Sequence, residues 1–271
     1  MFTYEWALVL GIPSAWIGLF LLYCVRVAIH GRYRVARLET MSESLWLPRP
    51  LMEFGYWLYQ APVSGLHRLG VTANMLTLAT LPLAMVAAML IAGGRFGLGG
   101  WVLLISLTLD VFDGMVARLQ GTSGESGGFL DATMDRYVDL ISFSGFLFYY
   151  RDQSFSMLLV LAAMLGSMQV SYVRARGETL GITAEIGYMR RYERAVWLGA
   201  GTVLAPIGSF FFEPNNPHPT FHITLVIMAL MAILSNLTAV LRILYVLRLL
   251  KRRKTVAGDT IDPEWESNHA G

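Results

Sequence analysis

Five aspartates, Asp110, Asp113, Asp131, Asp135 and Asp139, fall between Leu109 and Leu140 in a chain whose neighbouring segments are strongly apolar. Asp110 and Asp113 are three residues apart and share one face of a helix. Asp131 and Asp135 are four apart, with Asp139 one more turn along. The short glycine-bearing loop QGTSGES, residues 120–126, lies between the two sets, so two carboxylate faces can be folded toward one point. Each ionised side chain inside a membrane helix costs about 2.5–3.5 kcal/mol on insertion scales, and neighbouring carboxylates repel as well. One or two divalent cations relieve both penalties. A ligand set made only of carboxylate oxygen favours hard ions, Mg²⁺ or Mn²⁺, over zinc.

The elements that must hold these acids are greasy. The chain of 271 residues is 55% hydrophobic and only 15% charged, with a mean hydropathy of +0.52. Soluble domains are closer to a quarter charged. Several apolar runs approach the roughly 20 residues that span a bilayer. The expected fold is therefore all-α and polytopic. Six transmembrane helices form a core, preceded by one extra N-terminal transmembrane helix and an interfacial amphipathic helix. The expected spans are Trp6–Ile29, Asn74–Ala92, Trp101–Leu119, Gly127–Tyr150, Phe155–Arg176, Glu193–Phe210 and Phe221–Leu250. Gly93–Gly100 reads as a turn. Residues 46–70 mix Trp46, Leu51, Phe54 and Trp57 with Arg49, Glu53 and Arg68, the pattern of a helix lying along a membrane surface.

The organisation that follows is an N-terminal helix and basic loop over 1–45, a catalytic membrane domain over 46–254, and a polar, disordered tail over 255–271. The N-terminus lacks a basic leader region and a cleavage site, so its helix reads as retained. The loop after it carries Arg32, Arg34 and Arg37. Seven spans with the N-terminus outside leave only Arg95 and Arg151, of 21 Lys and Arg, in outer turns. By the positive-inside rule, the acids then sit toward the cytoplasmic leaflet of the cytoplasmic (plasma) membrane. The one cysteine, Cys24, excludes an intrachain disulfide and a cysteine metal cluster. Formal net charge is only +2, and no nucleic-acid partner is expected.

The spacing D-x-x-D-G-x-x-A-R-(x)8-G-x-x-x-D-x-x-x-D is filled by Asp110, Asp113, Gly114, Ala117, Arg118, Gly127, Asp131 and Asp135. It resembles the complete signature of the CDP-alcohol phosphotransferases. The resemblance implies attack of an alcohol on the lipid-attached phosphate of a CDP-linked lipid such as CDP-diacylglycerol, releasing CMP. It implies two cations, Mg or Mn, held by Asp110, Asp113, Asp131 and Asp135, with Asp131 the bridge. Asp135 is either also the general base on the acceptor hydroxyl or a plain fourth ligand. Gly114, Ala117 and Gly127 are small, which suits either a nucleotide lying against the helix backbones or close helix packing. Arg118 either meets the diphosphate or base, or snorkels to the membrane surface. Asn74 and Thr77 resemble the family's asparagine-x-x-threonine facing the nucleotide, although Asn74 is equally a candidate helix cap. Asp139 lies outside the signature and is expected to orient Arg136 or a ligand, without touching metal. A homodimer is implied by the resemblance alone.

Arg174, Arg176, Arg191, Arg194 and Arg242 are expected at the cytoplasmic ends of late spans, level with the acids. Guanidinium forks grip phosphate in a bidentate way, which points to a phosphorylated alcohol acceptor. The alternative is ordinary positive-inside topology. Ser171-Tyr172-Val173-Arg174-Ala175-Arg176, with Glu178 following, resembles the phosphatidylinositol-phosphate synthase branch, except that Arg174 replaces its usual lysine. That branch implies inositol 1-phosphate as acceptor, with glycerol 3-phosphate or another alcohol the alternative. From a different class, an ion-coupled transporter also carries intramembrane acids, but would place them near mid-bilayer on paired broken helices. A prenyltransferase would not need the Gly114/Ala117/Arg118 run, and an EF-hand would need acids at alternate positions in one loop.

Overall fold

The computed structural model describes residues 3–32, 48–184, 186–214 and 216–259. Arg34, Arg37 and the tail from 260 onward lie outside the described residues. Among the described residues, all regular structure is α-helical. The eight helices are α1 (Thr3–His30), α2 (Arg49–Arg68), α3 (Ala73–Ala92), α4 (Phe96–Gln120), α5 (Glu125–Tyr149), α6 (Ser154–Thr179), α7 (Arg191–Phe212) and α8 (His222–Asp259). Among the described residues, four stretches are long and apolar enough to cross a membrane: Ala73–Ala92, Ser154–Thr179, Arg191–Phe212 and His222–Arg253. The chain is a multi-pass membrane protein. α4 and α5, which bear the aspartates, are not among these four.

Several boundaries differ from the sequence expectation. The span expected from Trp101 begins at Phe96, because Gly99 and Gly100 belong to the helix rather than to a turn. A Cβ on Gly100 would lie 2.5 Å from the backbone nitrogen of Val203, and one on Gly99 would lie 2.5 Å from Ile91 Cγ1. These glycines let α4 approach α7 and α3 at backbone distance, the close packing small residues allow inside membranes. Gly145 does the same on α5, where a Cβ would meet the Ala88 carbonyl at 2.6 Å. α8 continues through Asp259, past the boundary expected at Thr255, and the rest of the expected tail lies outside the described residues. α2 is one helix despite its prolines: Pro48 is the cap residue, Pro50 lies in the first turn, where no N–H partner is needed, and Pro62 lies inside.

α1 is fastened to α2 by an aromatic cluster. Phe20 meets Phe54 edge-on at 5.3 Å between ring centroids, and Tyr23 meets Trp57 at 5.5 Å. α2 is in turn pinned beside the acids by Val63, which is buried with Leu76, Phe112 and Val116. At the opposite end of the bundle, Phe96 stacks on Phe221 at 4.0 Å. There, Tyr149 and Tyr150 donate hydrogen bonds to the carbonyls of Pro219 and Thr220, at 2.5 and 2.8 Å. The turn between α7 and α8 is closed by Glu213, which accepts from Thr220 N–H at 2.7 Å and pairs with His222 at 2.7 Å. Two well-knit ends therefore hold the helices in register, and the acids lie at the end that α2 covers.

Candidate active site

α4 ends at Gly121, whose φ of +64° suits the left-handed residue that closes a helix. Thr122 N–H then bonds back to the Ala117 carbonyl at 3.0 Å. Only Gly121 to Gly124 separate α4 from α5, so the chain reverses at once. Asp110 and Asp113, in the last turns of α4, face Asp131 in the first turns of α5. One oxygen from each of these three carboxylates lies within 4.8 Å of the others. Their convergence, predicted from spacing, is present. The donor set is all oxygen on two rigid helices, and it fits a hard divalent cation.

Asp113 is buried, at 5% exposure, and Thr77 of α3 donates to its Oδ2 at 2.6 Å. α3 thus aims one carboxylate of the group, an orienting contact of the kind that metal sites rely on. Asp135, 8% exposed, stands beside the three rather than among them. Its Oδ1 pairs with Arg191 at 2.5 Å, and it also lies against Asp110. The Arg191 guanidinium reaches across to Asp110 Oδ2 at 3.0 Å. Arg191, expected at an acceptor phosphate, therefore bridges two of the four signature acids.

The residues expected at the nucleotide are gathered around the same end, with different roles. Asn74 is exposed on the first turn of α3, and the cap is Thr72, whose Oγ1 accepts from Met75 N–H at 3.3 Å. Thr77 is committed to Asp113. Arg118 folds back across Gly114, where a Cβ would meet its Nη1 at 3.4 Å. Ala117 is half-buried on the same helix. A Cβ on Gly127 would meet nothing within 4 Å, so this glycine does not serve helix packing.

The five arginines divide. Arg174 and Arg176 are exposed, and Arg174 pairs with Glu178 at 2.9 Å. Arg194 and Arg242 are buried, at 2% and 4% exposure. Arg194 donates to the Met189 carbonyl at 3.3 Å and to Ser171 Oγ at 3.3 Å. Arg242 donates to the carbonyls of Ile186 and Val170, at 2.8 and 3.0 Å. These two hold the α6–α7 connection against the bundle. Tyr188 N–H bonds Thr238 Oγ1 at 3.1 Å in the same connection, and Gly187, with φ +126°, leaves no room for a Cβ against Thr238. Nothing in the sequence singled out Thr238 or Gly187. Asp139 does not orient Arg136, which turns to the Ala132 carbonyl at 2.6 Å and toward Asp135 at 3.9 Å. Asp139 instead accepts a 3.5 Å bond from Ser167 Oγ.

A cavity of about 50 Å³ opens beneath the acids, with Thr80, Ser106, Asp110, Asp139, Ser142 and Arg191 among the residues lining it. At that size it holds a few waters.

The family model described as CDP-alcohol phosphatidyltransferase matches residues 70–251. The chain belongs to that family. Membership makes it a membrane transferase of phospholipid synthesis. Among its relatives, the phosphatidylinositol phosphate synthase of Cutibacterium acnes is 32% identical over 152 residues, 54% of this chain and 73% of the relative. The archaetidylinositol phosphate synthase of Methanothermobacter thermautotrophicus is 37% identical over 137 residues, 50% of this chain and 68% of the relative. The crystal structure of Mycobacterium tuberculosis phosphatidylinositol phosphate synthase with CDP-DAG bound superposes with a TM-score of 0.59 at 28% identity, covering 69% of this chain and 92% of that one. The structure of the same enzyme in complex with manganese and citrate gives 0.60 at 28% identity, covering 69% and 87%. In this phosphatidyltransferase, the matched segment runs from the loop before α3 into α8 and contains every signature aspartate.

Proposed function

We propose that this phosphatidyltransferase transfers the phosphatidyl group of CDP-diacylglycerol to inositol 1-phosphate and releases CMP. The observation that carries the reading is the convergence of Asp110, Asp113 and Asp131 within 4.8 Å. Those three and Asp135 would hold two divalent cations, Mg²⁺ or Mn²⁺, with Asp131 the shared ligand. Bound there, the cations supply neutralisation of the diphosphate's charge. One relative has been solved both with CDP-DAG and, separately, with manganese and citrate, which supports both parts of that reading.

In the transfer, the acceptor hydroxyl oxygen forms a bond to the lipid-attached phosphorus. The bond from that phosphorus to the CMP oxygen breaks, CMP leaves, and the hydroxyl proton passes to Asp135. Asn74, Gly114, Ala117, Arg118 and Gly127 form the wall against which the cytidine and diphosphate lie, and Thr77 keeps Asp113 aimed. The open space over Gly127 supports this assignment. Arg191 on the first turn of α7, with Arg174 and Arg176, offers the acceptor its guanidinium forks, and the buried Arg194 and Arg242 add positive charge behind them. A phosphate is what such forks select, and the relatives' names point to inositol phosphate.

The same reading has six helices spanning the membrane as a core with α1 added, α2 lying along the surface, the N-terminus outside and the site facing the cytoplasm. The distribution of Lys and Arg supports that orientation. A homodimer is the family expectation. The test is an acceptor screen: purified protein with CDP-diacylglycerol and Mn²⁺ or Mg²⁺ is offered inositol 1-phosphate, glycerol 3-phosphate, inositol or serine, and CMP release is measured. Release with inositol 1-phosphate alone is expected. Release with glycerol 3-phosphate and none with inositol 1-phosphate would replace the acceptor.

A further inference from the structure

Arg191 has two partners, Asp110 at 3.0 Å and Asp135 at 2.5 Å, and its Nε is buried without a hydrogen-bond partner. Both partners are signature acids. A guanidinium and a divalent cation compete for the same carboxylates, because each offers the positive charge that offsets their burial and repulsion. Arg194, three residues on, is tethered to Met189, Ser167 and Ser171. Arg191 is thus the arginine of the pair whose bonds end on metal-site acids alone.

One helical turn below Asp135, about 5–6 Å along α5, stands Asp139. Among the described residues it makes no ion pair within 4 Å, and its hydrogen bond is the long one from Ser167 Oγ at 3.5 Å. Its charge acts on both Arg191 and Arg194. Asp139 and Arg191 line the same cavity of about 50 Å³, with Thr80 and Ser142 as well as Leu103, Phe143 and Leu198 among its walls. A carboxylate held by one long hydrogen bond, a guanidinium with an unused N–H and a cavity that both line make a second resting place for Arg191.

We propose that Asp139 is a positioning residue for Arg191: it takes the guanidinium when a divalent cation claims Asp110 and Asp135. This rests on the metal reading above. Arg191 has five N–H donors in a planar fork. Held from below by Asp139, it keeps outer N–H groups for the acceptor's phosphate. Cation loading and acceptor recognition are then coupled through one side chain, and Asp139 contributes to both while touching neither ligand.

The test is Mn²⁺ binding to the full-length protein in detergent with CDP-diacylglycerol, followed by the loss of the free Mn²⁺ electron paramagnetic resonance signal. Acceptor KM is measured in parallel. Asp139→Asn should weaken Mn²⁺ binding by at least about fivefold, the low end of ordinary coupling between sites, and raise acceptor KM. Arg191→Gln should tighten Mn²⁺ binding by removing the competitor. In the Arg191→Gln background, Asp139→Asn should change Mn²⁺ affinity by less than about twofold; with Arg191 present, Asp139→Glu should retain most of the affinity that Asp139→Asn loses. An equal loss in both backgrounds would mean that Asp139 acts by bulk charge and would overturn the proposal, as would no loss in the wild-type background. Absence of Mn²⁺ binding by the unmutated protein is a separate result and would remove the metal reading itself.

Discussion

Thr77→Val isolates one contact at the centre of the site. Valine keeps the size and branching of threonine and removes only the hydroxyl. Thr77 lies at 5% exposure, so the change opens no large cavity. The lost bond is the 2.6 Å donation to Asp113 Oδ2. The hydroxyl also lies 3.2 Å from the Ala73 carbonyl, but it has one proton, and the shorter contact is to the carboxylate. A hydrogen bond to a charged group contributes about 1.5–3 kcal/mol. Each 1.36 kcal/mol is tenfold in rate, so kcat/KM for CDP-diacylglycerol should fall by roughly 10- to 150-fold. Thr77→Ser keeps the donor and should stay within about threefold of the parent. The assay is CMP release at saturating Mn²⁺, with thermal melting in detergent to exclude unfolding. Thr77→Val with activity within twofold of the parent and an unchanged melt would refute the orienting role of Thr77.

Other perturbations address different links in the account. Asp131→Asn should abolish CMP release while leaving the fold intact, since it removes one of three converging carboxylates; near-normal turnover would exclude Asp131 as a shared ligand. Gly100→Ala forces a Cβ to within 2.5 Å of the Val203 backbone and should lower stability by about 1–3 kcal/mol, read as a lower melting temperature. Gly127→Ala meets open space and should leave the melt unchanged while raising KM for the CDP-lipid; an unchanged KM would remove Gly127 from the nucleotide wall. Glu213, in the α7–α8 turn, is held below its ordinary pKa of 4.5: burial pushes it up, but hydrogen bonds from Thr220, Asn216 and His222 outweigh that. A depressed carboxylate stabilises the fold above its unfolded pKa and loses that contribution as pH falls through the folded one. The melting temperature should therefore drop on acidification below about pH 4.5, and the gap between the parent and Glu213→Gln should close over the same range.

The acids were readable because residues three and four apart on a helix share a face whatever surrounds them, and a short glycine-rich reversal leaves little choice about where the faces point. Long apolar runs marked the helices for the same local reason. Gly99 and Gly100 were misread because glycine marks both a turn and a close helix crossing, and only the partner helix decides which. Thr77 to Asp113 is a contact between side chains 36 residues apart, which no local pattern announces. The arginines show the limit most clearly. Residue type places a cation near the same end of each late span as the acids, but it does not separate Arg191, which bridges acids, from Arg194 and Arg242, which bind backbone carbonyls, or from the exposed Arg174 and Arg176. The strap formed by Gly187, Tyr188 and Thr238 carried no signal, because its chemistry is one backbone N–H and one hydroxyl brought together by the fold.

The central claim is that acids from α4 and α5 share one cation site. Crystals grown with Mn²⁺ and CDP-diacylglycerol, measured for anomalous scattering at the manganese edge, test it most directly. A peak bounded by the carboxylates of Asp110, Asp113 and Asp131, absent from crystals of Asp131→Asn, is the expected result. Manganese bound elsewhere, or a peak that survives Asp131→Asn unchanged, would contradict it.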